Sequence, residues 1–126
     1  MSFIIVADDD PIFRELLSVT LQDAGHVVGS VADGVSALQA IAFKQPDLAI
    51  LDANMPGCSG FDVVRQLRAS GCAADMPLIM LTARAGDADK VIADRAGADD
   101  YICKPLDPDL LLACVDRQLH GRRRSY

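Results

Sequence analysis

Five short apolar runs, each followed by a segment of helical periodicity, predict an α/β fold: a doubly wound (βα)5 parallel sheet with helices on both faces. Two further observations support this. The runs at 3–7, 48–51 and 78–81 are continuously apolar rather than alternating, as strands are when both faces of a sheet are covered. The segments between them repeat apolar residues at helical spacing and are punctuated by Asp, Ser, Pro and Gly. Right-handed crossovers make such a sheet parallel. At 126 residues, 51% of them hydrophobic, the chain has the length of one domain and enough apolar mass for a core.

Phe3 to Ala7 reads as the first buried strand. Asp10-Pro11 is a cap followed by proline at the first helical position, and Phe13, Leu17, Leu21 and Ala24 continue as a helix that Gly25 ends. Val27 to Val31 is the second strand and Asp33-Gly34 a turn. Leu38, Ile41 and Ala42 mark the second helix, closed before Pro46. Leu48 to Leu51 is the third strand, followed by a loop from Asp52 to Ser59. Ser59 and Asp62 have the spacing of a capping box, and Phe61, Val64 and Leu67 form the stripe of the third helix. Leu78 to Leu81 is the fourth strand. Val91, Ile92 and Ala96 lie on the fourth helix, which Gly97 ends. Tyr101 to Cys103 is the fifth strand. Asp107-Pro108 repeats the cap-plus-proline signal, and Leu111, Val115 and Leu119 face inward from the fifth and last helix. Residues 1–120 form the domain, and 121–126 a tail or the start of a linker.

The net charge is −6, and Arg122, Arg123 and Arg124 are three of only 12 basic residues against 18 acidic ones. An acidic body of this kind repels nucleic acid and anionic membrane. No apolar run approaches the roughly 18 residues of a membrane span, and the N-terminus reads as a strand rather than a signal peptide. Cys58, Cys72, Cys103 and Cys114 form no C-x-x-C pair and stand at no zinc-site spacing from His26 or His120. Reduced thiols in a cytoplasmic protein are expected.

Ligands of an open α/β sheet bind at the carboxyl ends of its strands. There the first strand presents Asp8, Asp9 and Asp10, the third Asp52, the fourth Thr82, and the fifth leads to Lys104. With Asp10 used as a cap, Asp8 and Asp9 crowd Asp52, and like charges so placed oppose ionisation. A hard divalent cation relieves that repulsion, and few carboxylates with retained waters suit Mg²⁺. Asp52 is then a nucleophile able to form an acyl phosphate, with Thr82 and Lys104 neutralising charge on the transferred oxygens. Taken singly, each group also reads as an ordinary turn, strand end or surface lysine. A cis Lys104-Pro105 bond would suit a turn that aims the lysine over the crevice.

Four blocks carry a family resemblance: Ile4-Ile5-Val6-Ala7-Asp8-Asp9-Asp10-Pro11; Pro46-Asp47-Leu48-Ala49-Ile50-Leu51-Asp52-Ala53-Asn54-Met55-Pro56 with Gly60 beyond it; Leu81-Thr82-Ala83-Arg84; and Ala96-Gly97-Ala98-Asp99-Asp100-Tyr101-Ile102-Cys103-Lys104-Pro105. From Phe3 to about Leu119 the chain resembles the receiver domain of two-component response regulators. The resemblance implies a flavodoxin-like strand order 2-1-3-4-5, an order that comes from the family and not from the spacing of the strands. It implies that Asp52 is phosphorylated and that Mg²⁺ binds Asp9, Asp52 and the backbone carbonyl of Asn54, with Asp8 acting through water. It also implies that Thr82 and Lys104 contact the phosphoryl group and that Tyr101 is a switch aromatic. The donor would be a sensor histidine kinase or a histidine phosphotransfer protein. The output would be a separate protein, a fused domain or a second copy, met on the face of helix 4, strand 5 and helix 5. The domain itself is then a phosphoacceptor rather than an enzyme, with slow dephosphorylation chemistry of its own. Leu106 stands where many relatives have phenylalanine, and Asn54 and Arg84 occupy variable positions that govern water access to the acyl phosphate.

Three other readings fit less of the chain. A phosphatase of the haloacid dehalogenase class wants a second acid where Asn54 stands. A flavodoxin-type flavin carrier wants a hydroxyl- and glycine-rich loop where Asp8-Asp9-Asp10 stands. A receiver degenerated into a binding module would not need Asp9, Asp52, Thr82 and Lys104 together.

Overall fold

The computed structural model describes residues 1–71, 73–83, 91–92 and 95–123. In chain order these form β1 (Phe3–Ala7), α1 (Pro11–Asp23), β2 (Val27–Val31), α2 (Gly34–Lys44), β3 (Leu48–Asp52), α3 (Gly60–Ser70), β4 (Leu78–Thr82), β5 (Asp100–Cys103) and a C-terminal helix (Pro108–Arg123). The strands form one parallel sheet in the order β2-β1-β3-β4-β5, as the resemblance implied.

Alternation along the strands builds two cores. Ile5, Ala7, Ala49, Leu51, Leu78 and Met80 face α2 and α3, where Ala37, Ile41, Val63, Val64 and Leu67 are buried against them. Ile4, Val6, Leu48, Ile50, Ile79 and Leu81 face Leu17 and Leu21 of α1 and Leu111 and Val115 of the C-terminal helix. Both faces of β3 and β4 are therefore apolar at every position but the last, which explains their unbroken hydrophobic runs.

The caps form as the sequence indicates. Asp10 accepts from the Ile12 and Phe13 amides, Ser59 Oγ from the Asp62 amide, and Asp107 from the Asp109 and Leu110 amides. Gly25 and Gly97 take the left-handed conformation that stops a helix. The Lys104–Pro105 peptide is cis.

Several local expectations change. Asp33-Gly34 is not a free turn. Asp33 caps α2, accepting from the Ser36 amide at 2.7 Å, and Gly34 is the first helical residue. A Cβ at Gly34 would lie 2.1 Å from the Cys58 carbonyl oxygen, so a glycine lets α2 press against the loop after β3. Ala42 points outward, while Ala37 supplies the buried position. β3 and β4 each run one residue further than the apolar run, ending on Asp52 and Thr82 themselves. Residues 91–92 and 95–96 are helical, but Val91 and Ile92 are exposed and only Ala96 is buried. The C-terminal helix continues through Arg123, taking in residues read as a tail. Cys58 and Cys114 are free thiols; Cys72 lies outside the described residues. No described helix is long and apolar enough to cross a membrane.

Candidate functional site

The crevice lies at the carboxyl edge of the sheet, where β1 and β3 stand side by side. Chain direction leaves β1 at Asp8, whose amide donates to the Val31 carbonyl at 3.2 Å and whose carbonyl accepts from Arg14 Nη1 at 2.7 Å. These bonds fix the backbone and turn the side chain inward: Asp8 has no exposed surface. Its Oδ1 accepts from the Asp10 amide at 2.9 Å. Its Oδ2 is 3.0 Å from Lys104 Nζ, within ion-pair range, yet no donor is aligned on it as a hydrogen bond. Asp9, the next residue, is exposed.

Asp52 ends β3 and is only 3% exposed. Its Oδ1 accepts from the Asn54 amide at 3.3 Å, and its Oδ2 lies 3.4 Å from Lys104 Nζ. The Ala53 amide donates to the Leu81 carbonyl, and the Gly60 amide to the Ala53 carbonyl, so the loop leaves the strand along a fixed path. A Cβ at Gly60 would stand 2.2 Å from the Asp52 carbonyl oxygen, so only glycine fits where α3 begins. Burial pushes the Asp52 carboxyl above the usual carboxylate range and the Asp8 charge adds to this; the Asn54 amide and Lys104 pull the other way without prevailing.

Lys104 follows β5, its amide donating to the Thr82 carbonyl at 2.7 Å. Burial alone would make its ammonium more acidic, but the Asp8 and Asp52 carboxylates outweigh burial and hold it above the ordinary lysine range. Thr82 is buried at the end of β4, its hydroxyl 3.7 Å from Cys103 Sγ. The structure therefore gathers Asp8, Asp9, Asp52 and Lys104 directly and sets Thr82 at the end of the strand beside β3. Asn54 is exposed on the loop, and Tyr101 is half-buried on β5, in register with Met80. Arg84 lies outside the described residues.

One ligand atom from each of Asp8, Asp9 and Asp52 lies within 4.8 Å of the others. Three carboxylates face one ammonium, all donors are hard oxygens, and a fully buried Asp8 oxygen lacks a hydrogen bond. This set fits a small divalent cation such as Mg²⁺. A cavity of about 420 Å³ at the opposite end of the sheet is lined by Arg68, Asp75 and Asp99, among others. There the Arg68 guanidinium is already engaged by the carbonyls of Gly97, Ala73 and Met76 and by Asp99. It braces the fold.

With this geometry in place, comparison with known proteins is decisive. The model of the response regulator receiver domain matches residues 4–116. The chain belongs to the response regulator receiver domain family. The receiver is 41% identical over 116 residues to the DNA-binding response regulator MtrA of Mycolicibacterium smegmatis, covering 92% of this chain and 50% of the relative. It thus spans about half the length of such curated relatives. Its fold superposes on a response regulator from Chloroflexus aurantiacus with a TM-score of 0.91, at 34% identity, over 94% of this chain and 98% of the other. It is also similar to the receiver domain of the sensor histidine kinase PA1611 of Pseudomonas aeruginosa, with TM-score 0.88 and 28% identity over 94% and 98% of the two chains. That structure carries a magnesium ion coordinated in its active-site cleft.

Two residues at the crevice escaped the sequence reading. Phe13 reads as an ordinary core position of α1, yet Lys104 Nζ lies over its ring, 4.5 Å from the centroid. Arg14 carries no motif, yet it fixes the Asp8 carbonyl. The signal for both was spacing: one turn into a helix that starts at the acidic cluster, side chains still reach the crevice.

Proposed function

We propose that this receiver is a two-component phosphoacceptor that takes a phosphoryl group onto Asp52 in a Mg²⁺-dependent reaction. The observation that carries the reading is the buried Asp52 carboxylate at the end of β3, clustered with Asp8 and Asp9 and within 3.4 Å of the Lys104 ammonium. One Asp52 oxygen attacks the phosphorus of a phosphohistidine, the P–N bond breaks, and the imidazole leaves with that electron pair. The product is an aspartyl phosphate. Catalysis here is positioning and charge neutralisation. Asp9, Asp52 and the Asn54 carbonyl would hold Mg²⁺, with Asp8 acting through water; the ion supplies positive charge to the phosphoryl oxygens. Lys104, already 3.4 Å from Asp52 Oδ2, exchanges the carboxylate for a phosphoryl oxygen. The Thr82 hydroxyl turns to another.

The transferred group adds charge at one end of β4 and β5, and Tyr101 on β5 responds as Thr82 moves. The face of the fourth helix, β5 and the C-terminal helix then changes its affinity for a partner or a second copy. An apolar hollow of about 290 Å³ on that face, between β5 and the C-terminal helix, supports it; Tyr101, Cys103, Pro105, Leu110 and Cys114 help line it. The protein is cytoplasmic, and its donor is a sensor histidine kinase or a histidine phosphotransfer protein. The output is a separate protein or a fused domain beyond residue 120; the acidic domain itself binds neither nucleic acid nor membrane.

Intact-protein mass spectrometry after incubation with acetyl phosphate tests the core of this reading. A gain of one phosphoryl group that needs Mg²⁺ and disappears in Asp52→Asn is expected. No gain under any condition would point instead to a non-phosphorylated binding module.

A further inference from the structure

Lys104 is held from three sides: by Asp8 Oδ2 at 3.0 Å, by Asp52 Oδ2 at 3.4 Å and by the Phe13 ring at 4.5 Å. Two of these partners change during the proposed reaction. Asp52 becomes phosphorylated, and Asp8 would be engaged through water when Mg²⁺ is bound. The Phe13 ring alone keeps its charge distribution throughout. A lysine side chain has a long stem of freely rotating bonds, so its ammonium needs something fixed to rest against.

Phe13 is well placed for this. It is the third residue of α1, whose first turn is pinned to the acidic cluster by the Asp10 cap and Pro11. One side of Phe13 packs against the core of Leu17, Leu21 and Leu111, which holds the ring in place; it is half-buried, and its face is left to Lys104. A leucine would fill the same apolar space but has no quadrupole to attract a cation.

We infer that Phe13 is a positioning residue for phosphoryl transfer: its ring face holds the Lys104 ammonium over the crevice while the carboxylate partners of Lys104 are taken up by the reaction. This rests on the reading that Lys104 contacts the transferred group. Phe13 itself touches no reacting atom.

The test joins a double-mutant cycle to a spectroscopic readout. Phosphorylation by acetyl phosphate with Mg²⁺ is timed for wild type, Phe13→Leu, Phe13→Trp, Lys104→Ala and the Phe13→Leu/Lys104→Ala pair. Phe13→Leu is expected to slow the reaction about 2- to 5-fold, the scale of a partly exposed cation–π contact, and Phe13→Trp to restore it. In the Lys104→Ala background Phe13→Leu should change nothing further, because its effect passes through the lysine. By NMR, the Lys104 ε-methylene protons should resonate upfield of those of Lys44 in wild type and Phe13→Trp, and lose that ring-current shift in Phe13→Leu. An equal slowing with and without Lys104 would make Phe13 a packing residue only and overturn the inference. So would an absent ring-current shift. A wild-type chain that accepts no phosphoryl group overturns the proposed function and this role with it, while an intact ring-current shift would still place the lysine on the ring.

Discussion

Asp52 and Asp100 are both strand aspartates beside a cation, yet their acidities move in opposite directions. Asp52, at the end of β3, has one backbone amide and a lysine at 3.4 Å, and burial leaves its carboxyl raised. Asp100, at the start of β5, is also penalised by burial, but donors converge on it: Arg117 at 2.5 Å, Gln118 at 3.3 Å, the Cys114 thiol at 3.1 Å and the Tyr101 amide at 2.9 Å. These outweigh burial, and its carboxyl is lowered. In return, burial first and Asp100 second push the Cys114 thiol up to about 12. The difference lies in the number of directed donors, not in the identity of the acid. A carboxylate with its bonding completed ties a strand to a helix; one left incomplete keeps capacity for a ligand.

The largest effect should come from dismantling the completed site. Asp100→Ala removes the acceptor that joins β5 to Arg117, Cys114 and Gln118 of the C-terminal helix. A loss of about 2 kcal/mol is expected, the scale of hydrogen bonds to a charged acceptor, read as a lower urea midpoint. If stability were unchanged, the bonding around Asp100 would be incidental and the contrast with Asp52 would fail.

The opposite sign is expected at the incomplete site. Because folding raises the Asp52 carboxyl, the folded state holds the proton more tightly than the unfolded chain. Asp52 therefore favours the fold in acid, and that contribution is lost as pH rises through its folded value, which lies above the ordinary 3.8. At neutral pH without Mg²⁺, Asp52→Asn should gain about 1 kcal/mol, or roughly 4 °C in Tm for a domain of this size. The gain should shrink as pH falls, and added Mg²⁺ should stabilise wild type alone. A variant less stable than wild type at neutral pH would mean that Lys104 and the Asn54 amide already satisfy the charge.

This contrast also marks what the sequence could and could not disclose. Strand runs, caps and the residues at the carboxyl edge are local patterns, so the fold class and the set Asp8, Asp9, Asp52, Thr82 and Lys104 were legible in the chain itself. The contacts that complete or withhold bonding are not local. Phe13 meets Lys104, and Asp100 meets Arg117, only because the sheet order brings α1 and the C-terminal helix to these strands. Gly34 misled for the same reason: Asp-Gly is a turn signal on its own, whereas here the glycine is required by the Cys58 carbonyl of a distant loop.

The smallest effect separates charge from connectivity at Asp100. Arg117 has 65% of its side chain exposed, so its ion pair is screened and should contribute only slightly at low salt, and less as salt rises. Arg117→Gln keeps a donor but removes the charge. Because the Asp100 carboxyl is lowered on folding, its stabilising effect is full above the ordinary 3.8 and disappears as pH falls through the lower folded value. The wild-type and Arg117→Gln stability curves should therefore differ slightly at neutral pH and converge in acid, once Asp100 is protonated and has no charge for Arg117 to meet. Curves separated by a constant amount across that range would assign the Arg117 contribution to the packing of its stem. The lowered carboxyl would then owe more to the thiol, the Tyr101 amide and Gln118 than to the guanidinium.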